Sequence, residues 1–234
     1  MPTFFASLIT MDHINIEKNI IFLEYLGIDA LHVDVMDGRF VPRYGIYPEI
    51  IERISQVSNI AIDIDLLVDD PLFALDQFKN KGNIKYVRFH MESSIGNELR
   101  IIDKIHEIGA KAIASLNLSS SFSSIERLVR NEEIDGVMLM GIHPGVLEQE
   151  HRPQNILNDL SSLRDLLGCS KASEMIGLDG AVSFESINPL AKEGINNFIC
   201  GSSSIFKGVN FKDSFTENKK LIRSNFKKIK KLSI

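Results

Sequence analysis

Cysteine is scarce in this chain. Only Cys169 and Cys200 occur, with 30 residues between them. That spacing is neither a metal-ligand pair nor a disulfide framework, so a reducing compartment, the cytoplasm, is expected. Long apolar runs are missing too: no stretch approaches the roughly 20 residues that cross a bilayer. The opening Met1-Pro2-Thr3-Phe4-Phe5-Ala6-Ser7-Leu8-Ile9 lacks the basic flank and the length of a signal sequence. No Gly/Ser/Pro linker or sustained charge block divides the chain, which reads as one domain over 1–234. An excess of basic charge is also absent. Lys plus Arg total 26 against 31 for Asp plus Glu, a net −5, so neither nucleic acid nor membrane is expected as a partner. With 44% hydrophobic and 24% charged residues, disorder and a small disulfide scaffold are excluded, and 234 residues suffice for a full core.

The charge is unevenly placed. Residues 207–234 carry nine basic and two acidic residues, whereas the rest carries 17 basic and 29 acidic. Phe215, Ile222, Phe226 and Ile229 recur there at helical spacing. The segment reads as a basic closing helix with a solvated Lys face; a phosphate, lipid or partner contact is the other use for such a face.

Short β-branched or apolar runs alternate with segments of helical period. Strands are predicted at 3–9, 29–35, 60–67, 84–90, 111–117, 135–141, 174–178 and 197–201. Helices are predicted near 14–26, 47–57, 71–80, 97–108, 121–131, 153–167 and 185–193, with the basic tail last. Gly27, Gly109 and Gly194 each follow a helix and precede a strand, and Pro71 and Pro153 stand where helices would start. Eight strand–helix units in this length favour a closed parallel (β/α)8 TIM barrel over an open doubly wound sheet.

Active sites of such barrels lie at the C-terminal ends of the strands. The polar residues there are Ser7, His32, Asp34, Asp63, Asp65, His90, Glu92, His143, Asp179 and Ser202. Alternation along a strand points His32 and Asp34 the same way, and likewise Asp63 and Asp65. Like carboxylates packed in a lumen need a cation or a shared proton. A divalent-metal site of His32, Asp34, Asp65 and Asp179 follows, suited to Zn, Mn, Fe or Co; capping of the next helix is the alternative use of each Asp. Gly180 and Gly201-Ser202 suit phosphate binding near strands seven and eight, or else plain turns. His143, at a strand end, could reach the site, whereas His106 reads as a surface residue of a helix.

The run His32-Val33-Asp34-Val35-Met36-Asp37-Gly38-Arg39-Phe40-Val41-Pro42 closely resembles the second-strand signature of the ribulose-phosphate 3-epimerase family. Ala6-Ser7-Leu8, Phe89-His90-Met91-Glu92, Met140 through Gly145, Leu178-Asp179-Gly180 and Gly201-Ser202 follow in the family's order. The resemblance implies a metal-dependent epimerase of a pentulose 5-phosphate, D-ribulose 5-phosphate to D-xylulose 5-phosphate, and a homo-oligomer. It makes Asp34 and Asp179 the pair that removes and returns the C3 proton through a cis-enediolate, each also a metal ligand. Ser7, Gly145, Gly180, Gly201 and Ser202 would contact substrate, and Met36 and Met140 would cap the enediolate. His90 matches a family position near the pocket without being a ligand.

The chain departs from the family at three places. Asp63-Ile64-Asp65-Leu66-Leu67 stands where the family has Asp-x-His-Leu-Met, so Asp65 replaces a histidine ligand and shifts preference toward Mn or Mg. Pro144-Gly145-Val146-Leu147-Glu148-Gln149 replaces a Pro-Gly-Phe-Gly-Gly-Gln loop, and Asp179-Gly180-Ala181 lacks a second glycine. Two phosphate-binding segments are thereby altered. An epimerase for another ketose phosphate, such as a hexulose 6-phosphate, and a non-catalytic sugar-phosphate-binding barrel are the alternative readings. Arg39, Arg43 or Arg88 could replace lost phosphate contacts or simply pair with surface acids. Barrel relatives that decarboxylate use a Lys where Asp65 stands, which excludes that chemistry.

Overall fold

A computed structural model describes residues 1–79, 81–146, 153–180 and 182–232. Eight strands, β1 (Thr3–Ser7), β2 (Ala30–Met36), β3 (Ala61–Leu67), β4 (Ile84–His90), β5 (Lys111–Leu116), β6 (Gly136–Met140), β7 (Ile176–Asp179) and β8 (Asn197–Cys200), pair in parallel in chain order. β8 pairs back onto β1, Ala6 opposite Cys200, and the sheet closes into a barrel. Around it lie α1 (Ile16–Leu26), α2 (Pro48–Val57), α3 (Pro71–Asp76), α4 (Glu98–Glu107), α5 (Glu126–Arg130), α6 (Pro153–Leu167), α7 (Phe184–Lys192) and α8 (Phe215–Leu232). This is the (β/α)8 TIM barrel expected from the alternation.

Strand alternation sorts the residues. Leu31, Val33 and Val35 of β2 and Ile62, Ile64 and Leu66 of β3 face the helices, within one large apolar core. The intervening His32, Asp34, Asp63 and Asp65 are buried polar groups on the lumen side. Phe5, Ile113, Met138, Met140 and Ile199 form a separate apolar cluster, and Met36, Val41 and Leu67 form a third. Gly27, Gly109 and Gly194 take φ of 78°, 80° and 106°, turning each helix end into the next strand. Pro71 opens α3 beneath an Asp70 cap, whose Oδ1 accepts from Phe73 N at 3.0 Å.

Three helices differ from expectation. α3 ends at Asp76 rather than 80. The 121–131 segment is a 3-10 turn, Phe122–Ser124, followed by the short α5. Its serines bond their own backbone, Ser124 Oγ donating to Ser121 O at 2.8 Å and Ser123 N donating to Ser121 Oγ at 3.3 Å, which competes with the helix ladder. The closing helix begins at Phe215, not 207. A box of Ser214 and Glu217 caps it, Ser214 N donating to Glu217 Oε2 at 3.1 Å and Glu217 N to Ser214 Oγ at 3.3 Å. Its inward face is Asn218, Ile222, Asn225, Phe226 and Ile229, and its cations reach back over Phe22 of α1, Lys219 Nζ at 4.7 Å from the ring. Among the described residues no helix is long and apolar enough to cross a membrane.

Candidate metal and substrate site

Strand register brings the acidic residues to one depth. Asp34 stands opposite Asp65 and His32 opposite Asp63 on β2 and β3, while Asp179 ends β7 opposite Met140. One ligand atom each from His32, Asp34, Asp65 and Asp179 lies within 4.8 Å of the others. His32 Nε2 is 3.5 Å from Asp34 Oδ1 and 3.8 Å from Asp179 Oδ2. Ser7 Oγ donates to Asp34 Oδ2 at 3.4 Å. His32 Nε2 and both Asp65 oxygens are buried without a hydrogen-bond partner. Three carboxylates and an imidazole that converge with unpaired atoms are costly to bury. A divalent cation removes that cost, so these residues fit one, and the oxygen-rich donor set suits a harder ion than a thiolate site would.

A second layer holds the imidazole. His32 Nδ1 is 2.6 Å from Asp63 Oδ2. Because a carboxylate only accepts, Nδ1 carries the hydrogen, which directs Nε2 at the cluster. Arg88 Nε donates to the same Asp63 oxygen at 2.8 Å, and Arg88 Nη2 donates to Asn197 Oδ1 at 2.8 Å. Asn197 Nδ2 in turn donates to Thr3 Oγ1 at 2.9 Å. Arg88 is fully buried and links β4, β3 and β8 across the lumen.

A side branch runs outward from Asp65. Its Oδ1 is 3.4 Å from His90 Nε2, and His90 Nδ1 is 3.6 Å from Glu92 Oε2. Glu92 Oε1 accepts from Asn117 N at 3.0 Å and from the Ser120 hydroxyl. Burial pushes the His90 pKa down, but Asp65 and then Glu92 outweigh it and raise it to about 9. Burial pushes Glu92 up, and the neighbouring His90 together with the Ser120 and Asn117 bonds reverses this and holds it at about 2. Asp65 is likewise lowered against its burial by His90, His32 and Arg88. Without a cation, Asp179 rises to about 6 through burial and the neighbouring Asp34 and Asp65 charges. His32 is raised well above its usual value against its burial, first by Asp34 and then by Asp63.

Above the cluster opens a cavity of about 340 Å³. Asp34, Asp179 and Ser7 line it together with Met36, Met140, Gly145, Gly180, Gly201 and Ser202, and so do Leu67, Ile142, Ile199, Ser203 and Arg43. Every residue assigned from sequence to substrate contact therefore borders one space, and His32 and Asp65 lie buried with their side chains toward Asp34 and Asp179. His143 is not among the lining residues, and His106 pairs with Asp135 at 2.8 Å on the outer surface. Leu147, Glu148, Gln149 and Ala181 lie outside the described residues.

The sequence matches the profile of the Ribulose-phosphate 3 epimerase family over residues 4–206. The chain belongs to the ribulose-phosphate 3-epimerase family. It is 28% identical over 207 residues to a ribulose-phosphate 3-epimerase of Buchnera aphidicola, covering 88% of each chain. It is 27% identical over 201 residues to that of Methanocaldococcus jannaschii, covering 86% of this chain and 82% of the relative. Among solved structures it resembles a mutant tryptophan synthase alpha-subunit from Pyrococcus furiosus, with a TM-score of 0.68, 12% identity and 98% of each chain covered. It also resembles KGPDC from Streptococcus mutans, with a TM-score of 0.66, 12% identity and 99% of each chain covered. Those two share the fold.

In this epimerase-family barrel the supporting layer was the part that motif reading missed. Asp63 faces the lumen as alternation required, but its service to His32 depends on Arg88 and Asn197, which are 109 residues apart in sequence. The signal was available in Arg88 itself, a cation set between the apolar Val87 and Phe89 in the buried part of β4. Arg39 pairs at the surface with Asp69 at 3.1 Å, so of the three arginines only Arg43 reaches the cavity.

Proposed function

We propose that the protein is a divalent-metal-dependent ketose-phosphate 3-epimerase that interconverts D-ribulose 5-phosphate and D-xylulose 5-phosphate. The observation that carries this reading is the pair Asp34 and Asp179, brought from β2 and β7 to line one cavity above His32 and Asp65. His32, Asp34, Asp65 and Asp179 would hold the cation, which when bound supplies Lewis-acid charge that acidifies the hydrogen on C3. One of Asp34 and Asp179 takes that proton and the other returns one to the opposite face of the cis-enediolate. Ser7 steadies Asp34 by its hydrogen bond. Met36, Leu67, Met140 and Ile199 wall the reacting carbon and keep water from it. Asp65 in place of histidine favours Mn or Mg. The altered strand-six loop and Ala181 support a second reading, the same proton transfer on a hexulose 6-phosphate. Exposed Cys169 and buried Cys200, both unpaired, support a reducing compartment, the cytoplasm.

The test is D-ribulose 5-phosphate in deuterated water with Mn, Mg, Fe, Co or Zn added separately, followed by NMR at C3. The expected result is metal-dependent deuterium incorporation with xylulose 5-phosphate appearing. Asp34→Asn and Asp179→Asn should each lose about 10²- to 10⁴-fold in turnover. Full turnover in either variant would overturn the two-carboxylate mechanism. Exchange in a hexulose 6-phosphate but not the pentulose would move the assignment to the second substrate.

A further inference from the structure

We propose that Arg43 determines specificity in this cavity by binding the phosphate of the ketose phosphate through its guanidinium. This rests on the epimerase reading above and adds a side chain that the family motif does not supply. Asp34, Asp179 and Arg43 are the charged groups that line the cavity among its described residues, and Arg43 is the cation. Unlike Arg39, whose guanidinium is 3.1 Å from Asp69, and Arg88, bonded to Asp63 and Asn197, Arg43 makes no ion pair or side-chain hydrogen bond with any described residue. It is half-buried, partly desolvated and uncommitted among the described residues.

Its position is fixed by the backbone. The chain after β2 folds back on itself, with an antiparallel bridge between Asp37 and Tyr44. Gly45 N donates to Met36 O at 3.1 Å and Ile46 N to Asp34 O at 2.8 Å. A Cβ on Gly45 would lie 2.3 Å from Asp34 O, so only glycine permits this approach. Val41, two residues before Arg43, packs on Gly145, where a Cβ would lie 2.8 Å from it. Arg43 is thus carried to the rim where the β2 and β6 loops meet. Asp179-Gly180-Ala181 and Gly145-Val146-Leu147-Glu148 offer one glycine each, which limits close approach of backbone N–H groups to a phosphate. A planar guanidinium supplies bidentate donors and a full charge instead.

The experiment compares wild type, Arg43→Gln, Arg43→Lys and Arg39→Gln. KM and kcat are measured on Mn-loaded enzyme with D-ribulose 5-phosphate. Calorimetric Kd values for D-ribulose 5-phosphate and unphosphorylated D-ribulose are taken in the Asp179→Asn background, where turnover is slowed. Arg43→Gln should raise KM and the phosphate-ester Kd about 10- to 100-fold, with kcat within about threefold and the D-ribulose Kd unchanged. Arg43→Lys should recover part of the loss, and Arg39→Gln should leave every value unchanged. KM and Kd within about twofold of wild type, or an equal loss for D-ribulose, would overturn the role of Arg43 while leaving the epimerase reading intact. Arg43-dependent binding of the phosphate ester by a wild type that shows no exchange would sink the epimerase reading and keep Arg43. No binding of the ester by wild type would end both.

Discussion

Beneath the His32 ring, polar side chains are bonded to one another; above it, they point into a shared space. Asp63, Arg88 and Asn197 each make at least one hydrogen bond of 2.6–2.8 Å. On the other side, His32 Nε2 and both Asp65 oxygens have no partner, and their nearest charged neighbours stand 3.4–3.8 Å off. The same imidazole belongs to both layers. The lower layer is fully buried, whereas Asp34 and Asp179 open onto the cavity: the lower layer spends its charges on geometry, and the upper layer keeps them for something that arrives.

The largest effect that would sharpen this contrast is in the lower layer. Arg88→Met leaves Asp63 charged and buried, and should lower stability by about 3–5 kcal/mol in urea denaturation. In the upper layer, Mn added to metal-free protein at 100 times its Kd should raise stability by about 2.7 kcal/mol. Thermal unfolding against metal concentration reads this, and an unmoved midpoint would mean that the four donors hold no ion. Asp179→Asn removes a buried charge too, yet in metal-free protein it should stabilise by about 1 kcal/mol, because Asp34 and Asp65 repel that charge. A loss as large as that from Arg88→Met would erase the distinction between the layers.

A comparably small effect lies outside both layers and calibrates them. Asp135 accepts from His106 Nε2 and Ala112 N, each at 2.8 Å, and pairs with Lys171 at 3.2 Å. Burial opposes its charge, but these bonds lower its pKa below the usual 3.8. Its contribution is therefore present above that value and fades as pH falls through the folded pKa. Asp135→Asn should cost about 0.5–1.5 kcal/mol at pH 7 and progressively less below pH 4. A cost independent of pH would show that shape rather than charge is at work.

Much of this arrangement was legible in the chain. The alternation in His32-Val33-Asp34-Val35-Met36 gave strand and facing together, and the punctuation by Gly27, Gly109 and Gly194 gave the units. Asp65 was readable as a donor because its strand has the same period. What escaped was set by groups distant in sequence or by competition within a segment. Arg88 finds Asn197 only once the barrel closes. Arg43 enters the cavity only because Asp37 bridges Tyr44 and Gly45 lies against the Asp34 carbonyl. The serines before α5 and the Ser214–Glu217 box were local signals outweighed by a helical apolar period, which continues through residues that do not wind.

The seating of Gly45 on Asp34 has one more consequence. The loop that presents Arg43 is fastened to the strand that presents Asp34, through Ile46 N to Asp34 O and Gly45 N to Met36 O. If Arg43 holds the phosphate and Asp34 moves the proton, as proposed above, the two ends of the substrate are gauged by one hydrogen-bonded piece, a caliper whose jaws move together. A ketose longer by one carbon, held by its phosphate, would bring a different carbon between Asp34 and Asp179. The barrel would choose its substrate by measuring length.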